Sequence, residues 1–190
     1  MSVVTSVIPH GRPFTVDDLE GMPDDGNRYE LIDGMLHVSP CPLPRHQIVL
    51  GEIFVRLHGA CPPDLLVLFA PMDVQPDHEN SLQPDVLVAR PSDFGPTNLP
   101  VAPLLAVEVL SPSTRLYDLN TKRSAYEKMG VPAYWIVDPA APGALTVFEL
   151  DDEGRYRQVA HVEGDEEFVA AQPFPVTVVP ARLLDKLLPR

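Results

Sequence analysis

The sequence predicts an α/β fold of the α+β kind: a mixed β-sheet with flanking helices and a β-hairpin towards each end. Three observations predict it. Strand-like stretches outnumber helical ones. The helical stretches fall between strands rather than in one block. The run Leu104–Leu110 is apolar except for Glu108, as expected of a strand covered on both faces.

Residues 1–12 read as a flexible arm and 13–190 as a single domain, a length that suits one core. A short helix follows Thr15, an N-cap residue with Asp17 and Asp18 in the first turn, and stops near Gly21-Met22-Pro23. Arg28–Ile32 and Met35–Ser39 flank Asp33-Gly34, a strong two-residue hairpin signal. Pro40, Pro42 and Pro44 make a stiff connector, and the crowded apolar stripe from Ile48 to Leu57 predicts a helix over 45–60. Strands are expected at Leu65–Ala70, at Asp85–Ala89 after a polar loop Asp77–Ser81, and at Leu104–Leu110. A helix from Tyr117 to Met129 should end at Gly130, with Pro132 beyond it. Ala133–Val137 is the next strand. Leu145–Leu150 and Tyr156–Val162 form the second hairpin, Val176–Val179 a last strand, and Ala181–Leu188 a short helix.

Composition narrows the function. The apolar fraction is 45% and the charged fraction 22%, as in globular chains. No apolar run approaches the roughly 20 residues of a membrane helix, and no basic segment precedes an apolar block at the start, so neither membrane nor secretion signal is expected. Two cysteines, Cys41 and Cys61, cannot build a disulfide framework, which favours the cytoplasm. The 23 prolines are scattered singly and read as element boundaries. The net charge of −13 lacks the basic footprint of a protein that lives on phosphate backbones. A nucleic-acid role must then rest on a local site, or on a divalent cation that reverses the local sign. Phosphate loops, a GxSxG elbow and HExxH are all absent.

Glu108 shares a strand face with Leu104, Ala106 and Leu110. A carboxylate there costs several kcal/mol (roughly, for an unpaired charge) unless it is paired, neutralised or on a metal; the ordinary alternative is a strand end that already reaches solvent. Asp85 follows Pro84 at the mouth of another strand, or acts there as an Asx-type cap. If these strands are neighbours, both carboxylates meet at one sheet edge, and with a carbonyl and waters they form a hard-oxygen site for Mg²⁺ or Mn²⁺. Asp118, Lys122 and Tyr126 stand at i, i+4 spacing, either as a surface pair or leaning into the same cleft. Glu30 reads as a solvated edge-strand acid or as a further site acid. His46, at the head of the long helix, is an accessory candidate.

Together these segments resemble the Uma2 family of restriction-endonuclease-like proteins in the PD-(D/E)XK nuclease superfamily. The matching residues are Tyr29–Gly34, His46, Gln83–Val86, Val107–Thr114, Asp118 with Lys122, and Gly130–Pro139, over about residues 14–180. The resemblance implies a restriction-endonuclease-like fold and a Mg²⁺-dependent endonuclease acting on DNA. Pro84-Asp85 matches the PD, Glu108 the acid of (D/E)XK, and Glu30 the additional upstream acid. Leu110 stands where the wider superfamily keeps its lysine, and Lys122 looks like the displaced equivalent. Metal ligation by Asp85, Glu108 and the Val109 carbonyl follows from the same resemblance, with catalytic roles for Asp85, Glu108, Lys122 and Glu30. Two alternatives stay open: a hydrolase of smaller phosphodiesters, and a non-enzymatic interaction module of the same fold. An apolar edge or the second hairpin could mediate a homodimer.

Overall fold

The structure, a computed structural model, describes residues 5–7 and 11–187. Strand β1 (Thr5–Val7) and helix α1 (Val16–Leu19) precede a hairpin of β2 (Arg28–Ile32) and β3 (Met35–Ser39). Helix α2 (Pro44–Ala60) leads to β4 (Leu66–Phe69), a small hairpin of β5 (Val74–Asp77) and β6 (Asn80–Leu82), then β7 (Val86–Ala89) and β8 (Leu105–Val109). A π-helical turn, Tyr117–Lys122, runs into α3 (Arg123–Met129). The chain continues through β9 (Ala133–Asp138), β10 (Ala144–Leu150), β11 (Tyr156–Glu163), β12 (Phe168–Ala170) and β13 (Val176–Val178).

Six strands form the principal sheet in the order β11-β10-β9-β8-β7-β4. Only β8 and β9 in it run parallel; the other neighbours are antiparallel. A parallel pair needs a crossover, and the π turn with α3 supplies it. The second sheet, β1-β3-β2-β6-β5, is built outward from the first hairpin. Its turn has both central residues at positive φ, Asp33 at 50° and Gly34 at 70°, the backbone that an Asp-Gly pair adopts most readily.

Alternation along β8 feeds two cores. Val107 and Val109 face α2, where Val49, Ile53 and Leu57 pack with Val86, Val88 and Trp135. Ala106 and Leu110 face the other way, among Ile32, Tyr126, Tyr134 and Ile136. Each fully buried Leu, Ile or Val contributes about 1.5–3 kcal/mol, so α2 is anchored by its apolar face rather than by helix propensity, while α3 is held by the buried Tyr126. Glu108 belongs to the second face, and the register sets its partner. Val86 pairs with Val107 at the last rung of the antiparallel ladder, so Asp85 and Glu108, the residues next beyond it, come to the same end of the two strands, where Asp85 accepts from the Val109 N–H.

Several expectations change in detail. Of the arm, Thr5–Val7 pairs with β3, and residues 1–4 and 8–10 lie outside the described residues. The polar loop Asp77–Ser81 is the turn of the β5–β6 hairpin, whose strands are too short and polar to carry a period. Phe168–Ala170, three residues long, pairs with β13. The tail is two 3₁₀ turns, Pro180–Leu183 and Asp185–Leu187, rather than one helix, and Leu188 lies outside the described residues.

Gly130 closes α3 in the left-handed region, φ 83°, and the N–H of Val131 reaches back to the Tyr126 carbonyl at 3.0 Å, a Schellman arrangement. A Cβ at Gly130 would meet nothing within 4 Å. Gly130→Ala therefore isolates backbone strain. It is expected to cost about 1–2 kcal/mol and to lower the thermal midpoint by several degrees in a calorimetric scan, with no loss of packing.

Candidate active site

Four acids are buried together at the end of β8, each no more than 2% exposed: Glu30, Asp85, Glu108 and Asp118. They line one cleft with Arg28, His46, Tyr117 and Lys122, and the connector Pro40–Leu43 borders it. The enclosed space is about 40 Å³, room for an ion or one or two waters.

Each side chain arrives on a different element. Asp85 precedes β7, and its Oδ2 accepts from the Val109 N–H (2.8 Å) and lies 2.9 Å from His46 Nε2. Its Oδ1 faces both Arg28 terminal nitrogens at 3.3 Å. His46 comes from the first turn of α2, and its Nδ1 has no partner among the described residues. Glu30, on β2, accepts from the Gln83 N–H at 2.8 Å and pairs with Lys122 Nζ at 2.9 Å. Lys122 Nζ also donates to Glu108 Oε1 at 2.8 Å, and the Tyr126 hydroxyl reaches the same oxygen at 3.0 Å. Lys122 thus bridges two acids that the sequence separates by more than seventy residues.

The π turn is what brings its neighbours to Lys122. Tyr117, Asp118 and Lys122 are all buried along it, and the wider turn lets residues four and five before Lys122 share its side. Lys122 Nζ sits 5.6 Å from the Tyr117 ring centre. Asp118 is fixed by a relay of hydroxyls. Thr114 hydrogen-bonds Asp118, and its hydroxyl lies 3.0 Å from that of Ser111. Ser113 in turn lies 2.8 Å from Ser111.

The electrostatics follow from burial and partners. Burial alone would raise Asp85, but the hydrogen bond from His46 and the charges of Arg28, His46 and Lys122 outweigh it and hold its carboxyl well below the usual range. Glu108 goes the other way: burial, together with the nearby charges of Asp85, Asp118 and Glu30, outweighs Lys122 and raises it. Burial likewise lifts Asp118 to about 6. Burial would lower Lys122, but Glu108, Glu30 and Asp118 raise it, so it stays charged. When ionised, the four acids outnumber the two permanent cations Arg28 and Lys122 and give the cleft an excess of negative charge, which a proton on Glu108 or a bound cation relieves.

A pH dependence follows. The folded state holds a proton on Asp118 between its ordinary value of 3.8 and about 6, while the unfolded chain has released it. The folded state therefore binds more protons, and stability falls as pH rises through that window. Glu108 acts in the same direction, whereas the lowered Asp85 acts only below it. Asp118→Asn is expected to remove about 2–3 kcal/mol of this loss. Denaturant melts at pH 4 and pH 6.5 measure it: the difference between the two should shrink in the variant.

The residues fit a divalent cation of the hard, oxygen-binding kind. Two neighbouring carboxylates, Asp85 and Glu108, stand beside the backbone of Val109. The Val109 N–H points to Asp85 and that of Leu110 to Val137 on β9, so the Val109 carbonyl opens on the Asp85 side of the strand. The excess negative charge favours a cation. Among the described residues no three His, Cys, Asp or Glu side chains form a metal-binding group. The donor set is therefore two carboxylates and a carbonyl with water for the rest, which suits Mg²⁺ and its retained waters.

Against the sequence expectations, Asp85, Glu108, Lys122, Glu30, His46, Asp118, Tyr126 and Val109 all gather in or beside this cleft. The solvated readings of Glu108 and Glu30 fail: both are 1% exposed, and β2 lies inside its sheet between β3 and β6. Asp118 and Lys122 are not a surface pair. Leu110 sits in the apolar cluster beside Tyr126, and Lys122 is the lysine that donates to Glu108. Arg28 and Tyr117 escaped sequence reasoning. Arg28 is two residues before Glu30 on the same strand face, a signal that alternation carried.

The chain is thus an α+β protein with a mixed sheet flanked by helices, in which two acids at the end of neighbouring strands meet a buried lysine from the π turn. The profile of the Uma2 family, described as "Putative restriction endonuclease", matches residues 16–182, and the chain belongs to that family. Among solved structures it is similar to one described as a putative nuclease belonging to DUF820 from Anabaena variabilis ATCC 29413. That likeness has a TM-score of 0.73 and 19% identity, over 93% of this chain and 100% of the other, and it shows the fold. No curated protein matches the chain. Among the described residues no helix is long and apolar enough to cross a membrane.

Proposed function

We propose that the chain is a metal-dependent phosphodiester hydrolase, an endonuclease acting on DNA, with Mg²⁺ or Mn²⁺ held by Asp85, Glu108 and the Val109 carbonyl and with Glu30 as a supporting acid. The observation that carries it is Asp85 against the Val109 N–H at the end of β8, with Lys122 against Glu108 one residue away. When bound, the metal would supply Lewis-acid polarisation of the phosphate and a lowered pKa for a coordinated water. The chain's own groups do the rest. His46 and the Val109 N–H fix one oxygen of Asp85 and Arg28 the other. Tyr126 fixes Glu108. Lys122, held charged by its carboxylate neighbours, orients the attacking water or neutralises charge developing on the phosphate.

A second reading, a hydrolase of smaller phosphodiesters, is favoured by the closed cleft and the −13 charge of the chain. Duplex DNA binding normally draws on many phosphate contacts. Plasmid nicking and cleavage of a chromogenic phosphodiester separate the two.

The test is calorimetric titration of Mg²⁺ into the wild type and Asp85→Asn, with plasmid nicking assayed with and without EDTA. Metal binding that is lost in the variant and nicking that stops with EDTA support the nuclease. Equal binding by both proteins rules out the site as drawn. If the thermal midpoint ignores Mg²⁺ and nothing is cleaved, the chain is a non-enzymatic interaction module of the same fold, because no ion favours its native state.

A further inference from the structure

We propose that the Tyr117 hydroxyl is a hydrogen-bond donor to an oxygen of the phosphate group bound in the cleft, a catalytic contact beyond the acids and Lys122. It rests on the phosphodiester reading above and adds a residue that neither the family resemblance nor the spacing of the motifs pointed to.

Tyr117 opens the π turn, lines the cleft and is 7% exposed. Its ring is set by two neighbours, the Lys122 ammonium at 5.6 Å and the His37 ring at 4.8 Å between centres. Its hydroxyl is buried and has no partner among the described residues. Other hydroxyls around it are engaged: Ser111 lies within hydrogen-bond reach of Ser113 and Thr114, and Tyr126 donates to Glu108. Among the described residues Tyr117 carries the fully buried hydroxyl of this cleft that has no partner, and so a proton left to give.

A buried hydroxyl without a partner destabilises the fold. Phenylalanine would keep both ring contacts and remove that penalty. A tyrosine here calls for a ligand that supplies the missing acceptor. Burial and the charges of Glu30, Glu108 and Asp118 raise the phenol well above its ordinary value, so it stays a neutral O–H donor. The cleft's permanent cations, Arg28 and Lys122, line it alongside Tyr117. An acceptor that suits an O–H donor near two cations carries negative charge on oxygen, and a phosphate oxygen meets that description.

The experiment uses full-length wild type and Tyr117→Phe with thymidine 5′-monophosphate, which has a phosphate but no diester to cleave, and with thymidine as the control. Binding is measured by calorimetry in Mg²⁺, Mg²⁺ affinity separately, and the thermal midpoint without ligand. The wild type is expected to bind the nucleotide and not the nucleoside. Tyr117→Phe should weaken nucleotide binding by about 10- to 100-fold, the loss of a hydrogen bond to a charged group. It should leave Mg²⁺ affinity unchanged and raise the unliganded midpoint by about 2–4 °C. A lower midpoint would mean that the hydroxyl is structurally paired, and unchanged nucleotide affinity would mean that only water satisfies it; either result overturns the assignment. A wild type that binds Mg²⁺ but no nucleotide overturns Tyr117 and leaves the metal reading standing. A wild type that binds neither overturns both.

Discussion

Lys122→Ala is expected to lower stability by about 3–5 kcal/mol, among the largest losses a single substitution in this chain should give. The lysine is 1% exposed and lies within 2.9 Å of two carboxylates that are equally buried. Its removal leaves Glu30 and Glu108 facing each other in low dielectric with no ammonium between them, and only Arg28 remains as a permanent cation in the cleft. The midpoint should fall by about 10 °C. A pH signature accompanies the loss. Glu108 is already raised by burial and without Lys122 it rises further, so the penalty should shrink as pH is lowered and the carboxyl neutralises. The double variant Lys122→Ala/Glu108→Gln removes charge from both sides. It should recover about 1–3 kcal/mol against the sum of the single changes. Denaturant melts of the four proteins complete the cycle, and additive losses would show that the pair is not energetically coupled. Any metal-dependent cleavage should disappear with the lysine, even where the variant remains folded.

Asp85→Asn is expected to abolish metal binding and to lower Mg²⁺-dependent cleavage by at least about 10³-fold, a loss of several kcal/mol at the transition state. Asparagine keeps an acceptor for the Val109 N–H and the shape of the side chain, so the variant separates charge from packing. What it loses is the negative oxygen that faces Arg28 at 3.3 Å and the ligand beside Glu108 at the end of the two strands. Stability should fall too, because Arg28 is left without its buried counter-charge. Asp85 is held well below the usual carboxylate range, so its contribution to stability is full above the unfolded carboxylate range, near pH 4, and is lost as pH falls below it. The variant should therefore lose less stability than the wild type on acidification. Retained cleavage at wild-type rate would remove Asp85 from the mechanism, whatever the metal does.

Much of the fold could be read before any coordinates. The first hairpin spans the expected residues to the position because Asp33-Gly34 accepts positive φ at both turn positions. The buried strand β8 was legible in a run apolar but for Glu108, and the end of α3 in Gly130. The small hairpin β5–β6 and the strand β12 were not, because three or four residues carry no period that stands above a loop. In the site, the i, i+4 spacing of Asp118, Lys122 and Tyr126 announced one helix face. It did not announce the π turn, which also brings Tyr117 to Lys122.

By itself, then, the chain determined which stretches pair locally, which faces are apolar, and that Asp85 and Glu108 each stand at or in a strand; these depend on residues a few positions apart. Only the tertiary structure decided that Glu30 shares a lysine with Glu108, that Arg28 and His46 hold Asp85, and that Tyr117 keeps an unclaimed proton. Those facts depend on registers between elements tens of residues apart. They also depend on burial, which turns an ordinary surface charge into one that must find its counter-charge.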